Sequence, residues 1–276
     1  MNIFKQRCIE LRKDDRSIIE IMRITGRPKT SIYQHIRSIP LSTERLERYR
    51  TASGRRIRKF TVARKGKSAR SFRAFSAWSP ETVLLAAHLL FDGEISRKIC
   101  TYNNRSRALI ERVERLMQSI YDFEPKRYKN QITGVNRISY HNVALGAYLQ
   151  KRTLELLREI KILPPSFKRE FLRAFFDDEG CMDFRPENNR RRIRGYQKDM
   201  RILRLVRIIL DDLGIPARVV RPNEVVIVGK GNLEKFEKEI NFSSGVYING
   251  NRTNSRWKKH LEKREILRRA IASFKS

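Results

Sequence analysis

Apolar positions recur with two different periods along the chain, and the changes of period divide it into three parts. Residues 1–41 have helical spacing, with apolar side chains three or four positions apart, as at Phe4, Cys8 and Leu11. Residues 42–78 show little periodicity and mix small residues with basic ones. From residue 79 onwards, helical stretches alternate with short stretches of β-type alternation. The pattern predicts a small helical unit, a linker, and a longer region that mixes helices and strands.

The first part has the layout of a helix-turn-helix. Apolar residues at helical spacing follow Ser17, the pattern breaks at Gly26-Arg27-Pro28, and a short polar helix is predicted before Pro40. The stretch from Ile18 to Ile36 resembles the helix-turn-helix units of resolvases and transposases, whose second helix enters the major groove. The residues then placed for DNA contact are Lys29, Thr30, Ser31, Tyr33, Gln34 and Arg37. An ordinary helical hairpin with a polar exposed face is the alternative.

An internal repeat organises the third part. Residues 85–93, LAAHLLFDG, recur 87 residues later as residues 172–180, LRAFFDDEG. Both copies have Leu at the first position, Ala at the third, an acid at the eighth and Gly at the ninth. Each copy is an apolar helical pattern that stops at its glycine, so a left-handed glycine cap is expected at the end of each helix.

The elements predicted after each copy also match. The first copy is followed by a strand pattern, a helix and a hairpin, over residues 95–102, 106–121 and 126–141. The second is followed by polar strands around Asn188-Asn189, and then by a helix and a hairpin over residues 200–213 and 217–228. The predicted class is therefore α+β, with two pseudo-symmetric αββαββα repeats over residues 79–170 and 171–276, preceded by the helix-turn-helix.

The acids of the repeat occupy an unfavourable position. Asp92 and Glu179 fall at helix C-termini, where the helix dipole disfavours a negative charge by roughly 0.3–1 kcal/mol. A divalent cation such as Mg²⁺ would compensate both, because it binds carboxylate oxygens and keeps waters for chemistry. The small residues Ala87 and Ala174 would let the two helices pack closely and bring the acids side by side. Paired carboxylates with metal ions are suited to phosphodiester hydrolysis.

At these residues the sequence resembles the LAGLIDADG homing endonucleases, over about residues 80 to 263. The resemblance implies two β-saddles in the DNA major groove, and a metal-binding acid for each strand at Asp92 and at Glu179. It also implies Mg²⁺ or Mn²⁺ as cofactor, and cleavage by a monomer of a site in double-stranded DNA. The sequence departs from the family pattern at Ala87 and Ala174, where glycine is usual, and at His88 and Phe91.

The large positive net charge of the chain indicates a polyanion as its binding partner. The chain has 61 Lys and Arg against 30 Asp and Glu, a formal net charge of +31, and binding through phosphates should weaken steeply with salt. Basic residues in the linker add non-specific phosphate contacts. No membrane span or signal peptide is predicted, and three scattered cysteines fit a reducing compartment. The expected location is the cytoplasm, at the nucleoid.

Other charged residues are weaker candidates. Residues on the predicted strands that would face phosphates or bases are Arg97, Lys98, Arg191, Arg192 and Arg194. The basic residues nominated to assist the acids, or to bind DNA in the case of Lys129, are Lys126, Lys129 and Arg252. Asp177 and Asp178 compete with Glu179 as ligands, although the repeat alignment favours Glu179. His88 is interpreted as a packed core histidine.

Three functions remain from the sequence. The first is an active double-strand endonuclease, which the acid retained in both copies favours. The second is a transcription regulator on a catalytically silent fold of the same kind, which the helix-turn-helix favours. The third is a maturase that binds intron RNA, and sequence alone does not separate it from the nuclease.

Overall fold

The computed structural model describes residues 3–64, 72–75, 77–96, 99–248, 257 and 261–274, with the backbone alone over residues 56–64. The chain forms two compact units, residues 1–68 and residues 69–276. Among the described residues, no helix is long and apolar enough to cross a membrane.

The first unit is helical, as predicted. Its helices are α1 (Ile3–Lys13), α2 (Ile18–Thr25), α3 (Lys29–Ile36) and α4 (Thr43–Arg64). Ser17 and Glu20 form a reciprocal capping box at the start of α2, and Gly26 ends that helix in the left-handed conformation, with φ 64°. A small apolar core joins α1, α2 and α3 through Cys8, Leu11, Ile21, Ile32 and Ile36.

Helix α4 occupies the start of the segment that was predicted to be an irregular linker, so that prediction is wrong over Thr43–Arg64. The first residues of α4 are held to the rest of the unit, because the Ser42 hydroxyl donates to Asp15 at 2.6 Å and Arg45 pairs with Glu20. The helix has few apolar residues, and its Arg, Glu and Ala residues form helices well without leaving an apolar period.

The second unit contains two halves with the same order of elements. The first half consists of α5 (Pro80–Phe91), β1 (Gly93–Ile95), β2 (Cys100–Asn104), α6 (Arg107–Tyr121), β3 (Lys126–Lys129), β4 (Asn136–Tyr140) and α7 (Val143–Glu159). The second half consists of α8 (Pro165–Glu179), β5 (Gly180–Arg185), β6 (Arg190–Tyr196), α9 (Met200–Asp212), β7 (Arg218–Val220), β8 (Glu224–Val228) and α10 (Lys230–Glu239), and is followed by α11 (Lys263–Ala272). The predicted α+β class, with αββαββα in each half, is confirmed.

Each half has one antiparallel four-stranded sheet. Sheet A has the order β1-β2-β4-β3 and sheet B the order β5-β6-β8-β7. One face of each sheet, the core face, packs on apolar residues of α6 in sheet A and of α9 in sheet B. The alternate residues of every strand lie on the other face, the open face. The two predicted hairpins are confirmed, although the first predicted strand, residues 95–102, is divided between β1 and β2.

Helices α5 and α8 pack against each other through small and aromatic residues. Ala87 and Ala174 are both fully buried in the same apolar cluster. The ring of Phe91 makes edge contacts with Phe171 and Phe175, at centroid distances of 5.5 and 5.1 Å. Alanine at the position where the related motif has glycine therefore still allows a close helix pair, with aromatic rings filling the space beside it.

The end of the predicted linker belongs to the second unit. Trp78 donates from Nε1 to Glu159 at 2.7 Å, and the guanidinium of Arg152 lies 4.0 Å from the Trp78 ring centroid. The backbone N–H of Phe75 donates to the Tyr148 hydroxyl at 3.0 Å. Residues 72–75 and 77–78 are therefore not a solvated tether, because aromatic side chains hold them against α7.

The glycines of the repeat have a different role from the one predicted. Gly180 is extended, with φ −96° and ψ 156°, and Gly93 does not have a positive φ. The left-handed cap prediction is therefore wrong. A Cβ built on Gly93 would lie 2.1 Å from the Leu89 carbonyl oxygen, and one on Gly180 would lie 2.4 Å from that of Phe176. The strand leaves each helix so closely over its last turn that no side chain fits.

Gly180→Ala should therefore destabilise the protein by at least about 1–3 kcal/mol, the usual range for overpacking, because the Cβ would collide with backbone that has little room to move. Gly231→Ala is the matched control, since a Cβ there meets nothing within 4 Å in helix α10. Alanine in an open helix should be neutral or stabilise by about 0.4–1 kcal/mol. Urea unfolding of both variants checks this, and equal midpoints would contradict the steric argument.

Candidate active site and nucleic-acid interface

Asp92 and Glu179 lie at the adjoining C-terminal ends of the central helix pair. Asp92 is the C-cap residue of α5, Glu179 is the last residue of α8, and each immediately precedes the first strand of its sheet. Both residues are half-buried. The sequence predicted this placement, and the structure brings the two acids into electrostatic contact.

Burial and like charge raise the pKa of both acids. The pKa of Asp92 is raised to about 8, first by burial and then by the negative charges of Asp178 and Glu179. The pKa of Glu179 is raised to about 7, first by burial and then by the charge of Asp178. Lys263 opposes both shifts. The site therefore has an excess of carboxylate that one buried lysine only partly balances.

A chain of hydrogen bonds holds one oxygen of Asp92. Asn104 donates from Nδ2 to Asp92 Oδ2 at 2.6 Å and to the Tyr102 hydroxyl at 3.3 Å. Tyr102 in turn donates to Asp178 Oδ1 at 2.6 Å, and His88 Nδ1 lies 2.9 Å from Asp178 Oδ2. The chain crosses from one half to the other, since Asp178 alone comes from α8. Asp92 is left with Oδ1 outside this network.

The two acids that competed with Glu179 in the sequence are engaged elsewhere. The side chain of Asp178 is fully buried and held by His88 and Tyr102. Asp177, also fully buried, accepts from Arg112 Nη1 at 2.8 Å and from the Ser243 backbone N–H at 2.9 Å. Both carboxylates have structural partners, so Glu179 remains the candidate metal ligand of α8. His88 is a buried histidine, and its partner is the carboxylate of Asp178.

Lys263 is a site residue that the sequence analysis missed. Its ammonium group is buried and donates to the backbone carbonyl of Asp177 at 2.6 Å and to that of Phe176 at 3.3 Å. It therefore satisfies the last carbonyls of α8 and places a positive charge beside the acids. Lys263 comes 84 residues after Glu179 and lies outside both repeat motifs, so no local pattern marks it. The nominated Lys126 and Lys129 lie on β3, and Arg252 is outside the described residues.

The donor set fits a hard divalent cation. Within the described ranges, no three His, Cys, Asp or Glu side chains form a closed metal cage. Magnesium does not require one, because it is commonly held by one or two carboxylates together with substrate phosphates and waters. Asp92 and Glu179 supply two such carboxylates, and a cation there would offset the burial and the neighbouring negative charges that raise the pKa of each.

The open face of sheet B carries two of the three arginines that the sequence analysis proposed on its strands. Arg192 and Arg194 lie on this face and contact Asp183, whereas Arg191 lies on the core face and donates from Nε to the Ser273 hydroxyl at 2.8 Å. In sheet A, Lys126 pairs with Ser139 and shares the open face with it.

Lys129 is placed differently from the DNA-facing position proposed for it. It lies on the α6 side of β3, as does Arg127, which pairs with Glu114 of α6. Lys126 is therefore the lysine of this strand on the open face. Arg97 and Lys98 lie outside the described residues.

In the first unit, α3 exposes the residues predicted to contact DNA. Those exposed are Lys29, Thr30, Tyr33, Gln34 and Arg37, and Ser31 is half-buried. Ile32 and Ile36 are buried on the opposite side of the helix. The short helix thus has one apolar face on its own unit and one polar and basic face in solvent.

Without metal, the unfolding free energy should fall as pH rises from about 5 to about 8. The folded protein keeps protons on Asp92 and Glu179 up to a pKa of about 8 and about 7, whereas both lose them near pH 4 in the unfolded chain. The folded state binds more protons over this window, so raising the pH favours unfolding. Thermal unfolding in a chelator should therefore show a smaller fall in Tm for Asp92→Asn than for the wild type. Parallel falls in the two proteins would contradict the assignment of a buried Asp92 with a raised pKa.

One family model matches part of the chain by sequence. The model described as LAGLIDADG-like domain matches residues 166–241. This segment of the chain is similar to a LAGLIDADG-like domain. The matched residues cover α8, sheet B, α9 and α10, and therefore include Glu179, whereas Asp92 and Lys263 lie outside them.

The chain is similar to several solved structures at low sequence identity. A mesophilic variant of the homing endonuclease I-DmoI is 17% identical over 60% of this chain and 92% of its own, with a TM-score of 0.48. A point variant of I-DmoI, in complex with its target DNA in the presence of Mg, is 17% identical over 58% of this chain and 95% of its own, with a TM-score of 0.47. Full-length DUF199/WhiA from Thermatoga maritima is 15% identical over 73% of this chain and 63% of its own, with a TM-score of 0.49. No curated protein matches the chain by sequence.

Proposed function

We propose that this protein is a site-specific, metal-dependent DNA endonuclease of the homing type, which hydrolyses both strands of a long duplex target. The observation that carries the proposal is the pair of half-buried acids at equivalent helix ends, Asp92 and Glu179, each directly before a sheet with an open face. A regulator that only binds DNA has no need of this repulsive pair. Each half supplies one acid, so a single chain would suffice to cut the two DNA strands.

The residues present have distinct parts in such a reaction. Asp92 and Glu179 would hold Mg²⁺ or Mn²⁺, which supplies an activated water and stabilises the leaving oxygen. Asn104 fixes the orientation of Asp92 through Oδ2 and leaves Oδ1 available. Lys263 limits the negative potential at the site, which helps an anionic phosphate to approach. The basic side chains of the open sheet faces would hold the duplex.

The first unit would extend the recognised site. The exposed face of α3, with Tyr33, Gln34 and Arg37, has the size and polarity of a helix that enters a major groove. Joining it to the nuclease in one chain raises its effective concentration at the target, so that affinity and specificity increase together. Removal of residues 1–68 should therefore shorten the protected footprint on the target without removing cleavage.

The test is cleavage of a randomised duplex library in Mg²⁺, with the ends sequenced. Metal-dependent double-strand cuts at a defined site support the nuclease. Tight, salt-sensitive binding to a defined duplex without cutting would overturn it and leave the transcription regulator. Preference for structured RNA over duplex DNA in a direct competition would favour the maturase.

A further inference from the structure

The open face of sheet B carries an unusual concentration of arginine. Five arginines lie on this face, as the strand register shows: Arg185, Arg190, Arg192, Arg194 and Arg218. The corresponding face of sheet A is mixed, and among its described residues it carries Lys126, Tyr128, Asn103 and Arg137. The two sheets therefore offer different chemistry to a ligand that spans both.

A buried carboxylate contacts three of these arginines and lies closest to two of them. Asp183, whose side chain is 7% exposed, accepts from Arg192 Nε at 2.8 Å and lies 3.3 Å from Arg185 Nε. In both contacts Nε is the guanidinium nitrogen closest to Asp183. A guanidinium fixed in this way is pre-organised, so little conformational entropy is lost when its η nitrogens bind a further acceptor.

Arg194 is held differently. It gives both Nε and Nη2 to Glu224, and its guanidinium lies 4.9 Å from the ring centroid of Tyr196. Two of the N–H donor nitrogens of Arg194 are therefore already hydrogen-bonded to Glu224. Arg194 is therefore suited to supply charge to the surface, and Arg185 and Arg192 are suited to direct reading of an acceptor pair.

The acceptor pair that matches a free guanidinium edge in duplex DNA is O6 and N7 of guanine, in the major groove. Arg185 and Arg192 lie on neighbouring strands as diagonal neighbours, because Asp183 pairs with Arg192 and Arg185 pairs with Arg190. Diagonal neighbours of this kind are about 7–8 Å apart, which is close to two base-pair steps of about 3.4 Å each. We propose that sheet B reads a guanine-rich half-site, with preferred guanines about two base pairs apart, whereas sheet A reads a half-site of mixed composition. This rests on the proposed function only in requiring a specific duplex target.

The test is selection of bound duplexes from a randomised library without divalent cation, so that binding is read independently of cutting. The wild-type pool should contain one half-site with guanines at alternate positions. Arg192→Lys keeps the charge but loses the fork, so it should reduce the preference for guanine at one position by about tenfold, within the range of one bidentate contact. Arg185→Lys should do the same at a second position.

Arg191→Lys is the matched control, because Arg191 is the neighbour of Arg192 on the same strand but lies on the core face. It should leave every base preference unchanged. A selected site without guanines in either half, or an unchanged pattern in Arg192→Lys, would overturn the proposal. Incubation of the selected duplexes with wild type and Mg²⁺ separates the two ideas: guanine-dependent binding without cutting overturns the nuclease alone, and cutting at a guanine-free site overturns the base reading alone.

Discussion

Asp92→Asn should convert a double-strand cut into a nick and slow the cleavage of one strand by about a thousandfold or more. A metal ion at a phosphoryl centre contributes several kcal/mol of transition-state stabilisation, and each 1.36 kcal/mol is a factor of ten in rate. The amide that replaces the carboxylate is nearly the same size but is a poor ligand. Strand-specific end labels on a cognate duplex in Mg²⁺ measure the two rates separately.

Glu179→Gln is the paired variant and should leave the opposite strand intact. Its effect should be similar in size, since Glu179 is the equivalent acid of the second half. Unfolding cannot explain the loss in Asp92→Asn, because that variant is expected to be at least as stable as the wild type at pH 8. Equal slowing of both strands by each variant would contradict the assignment of one acid to one strand.

Asp177→Ala should reduce the unfolding free energy by about 3–5 kcal/mol, the usual cost of breaking a buried ion pair from one side. The fully buried Asp177 carboxylate pairs with Arg112 of the first half and accepts from the Ser243 backbone N–H. Its removal leaves an arginine and a backbone donor without an acceptor between the two halves. Chemical denaturation measures the change.

Glu111→Ala tests whether the loss of stability expected for Asp177→Ala is due to the burial of that ion pair. Glu111 pairs with Arg107 on the same helix as Arg112, but the two side chains are 50% and 89% exposed. Exposed pairs of this kind contribute about 0.2–1 kcal/mol at most. An equal loss in the two variants would show that Asp177 does not hold the halves together in the way described.

The repeated part of the fold could be predicted from sequence because it is local and occurs twice. The two motifs fixed the positions of Asp92 and Glu179, and the β-formers around Pro222-Asn223 marked a hairpin that the structure confirms. Each of these signals lies within about twenty residues. The acids could be recognised because their position at a helix end is unfavourable unless something compensates for it.

Features that depend on distant contacts were missed. Lys263 has its role only because α11 brings it under the end of α8, and no spacing in the sequence indicates that approach. Helix α4 is largely exposed over residues 43–55, so this part has no apolar period. The beginning of the helix depends on Asp15 and Glu20. The role of Gly93 and Gly180 depends on how tightly the following strand turns back over its helix. The amino-acid pattern around the glycines does not indicate this close approach.

The hydrogen-bond chain through Asp178 also shows that neither half could serve as its own partner. The positions that correspond to His88 and Tyr102 in the second half are Phe175 and Gly195, and Phe175 fills the space over Gly195. Two copies of the second half would bury Asp178 against hydrocarbon with neither of its donors. The network that holds Asp178 therefore requires one half of each kind in the same protein.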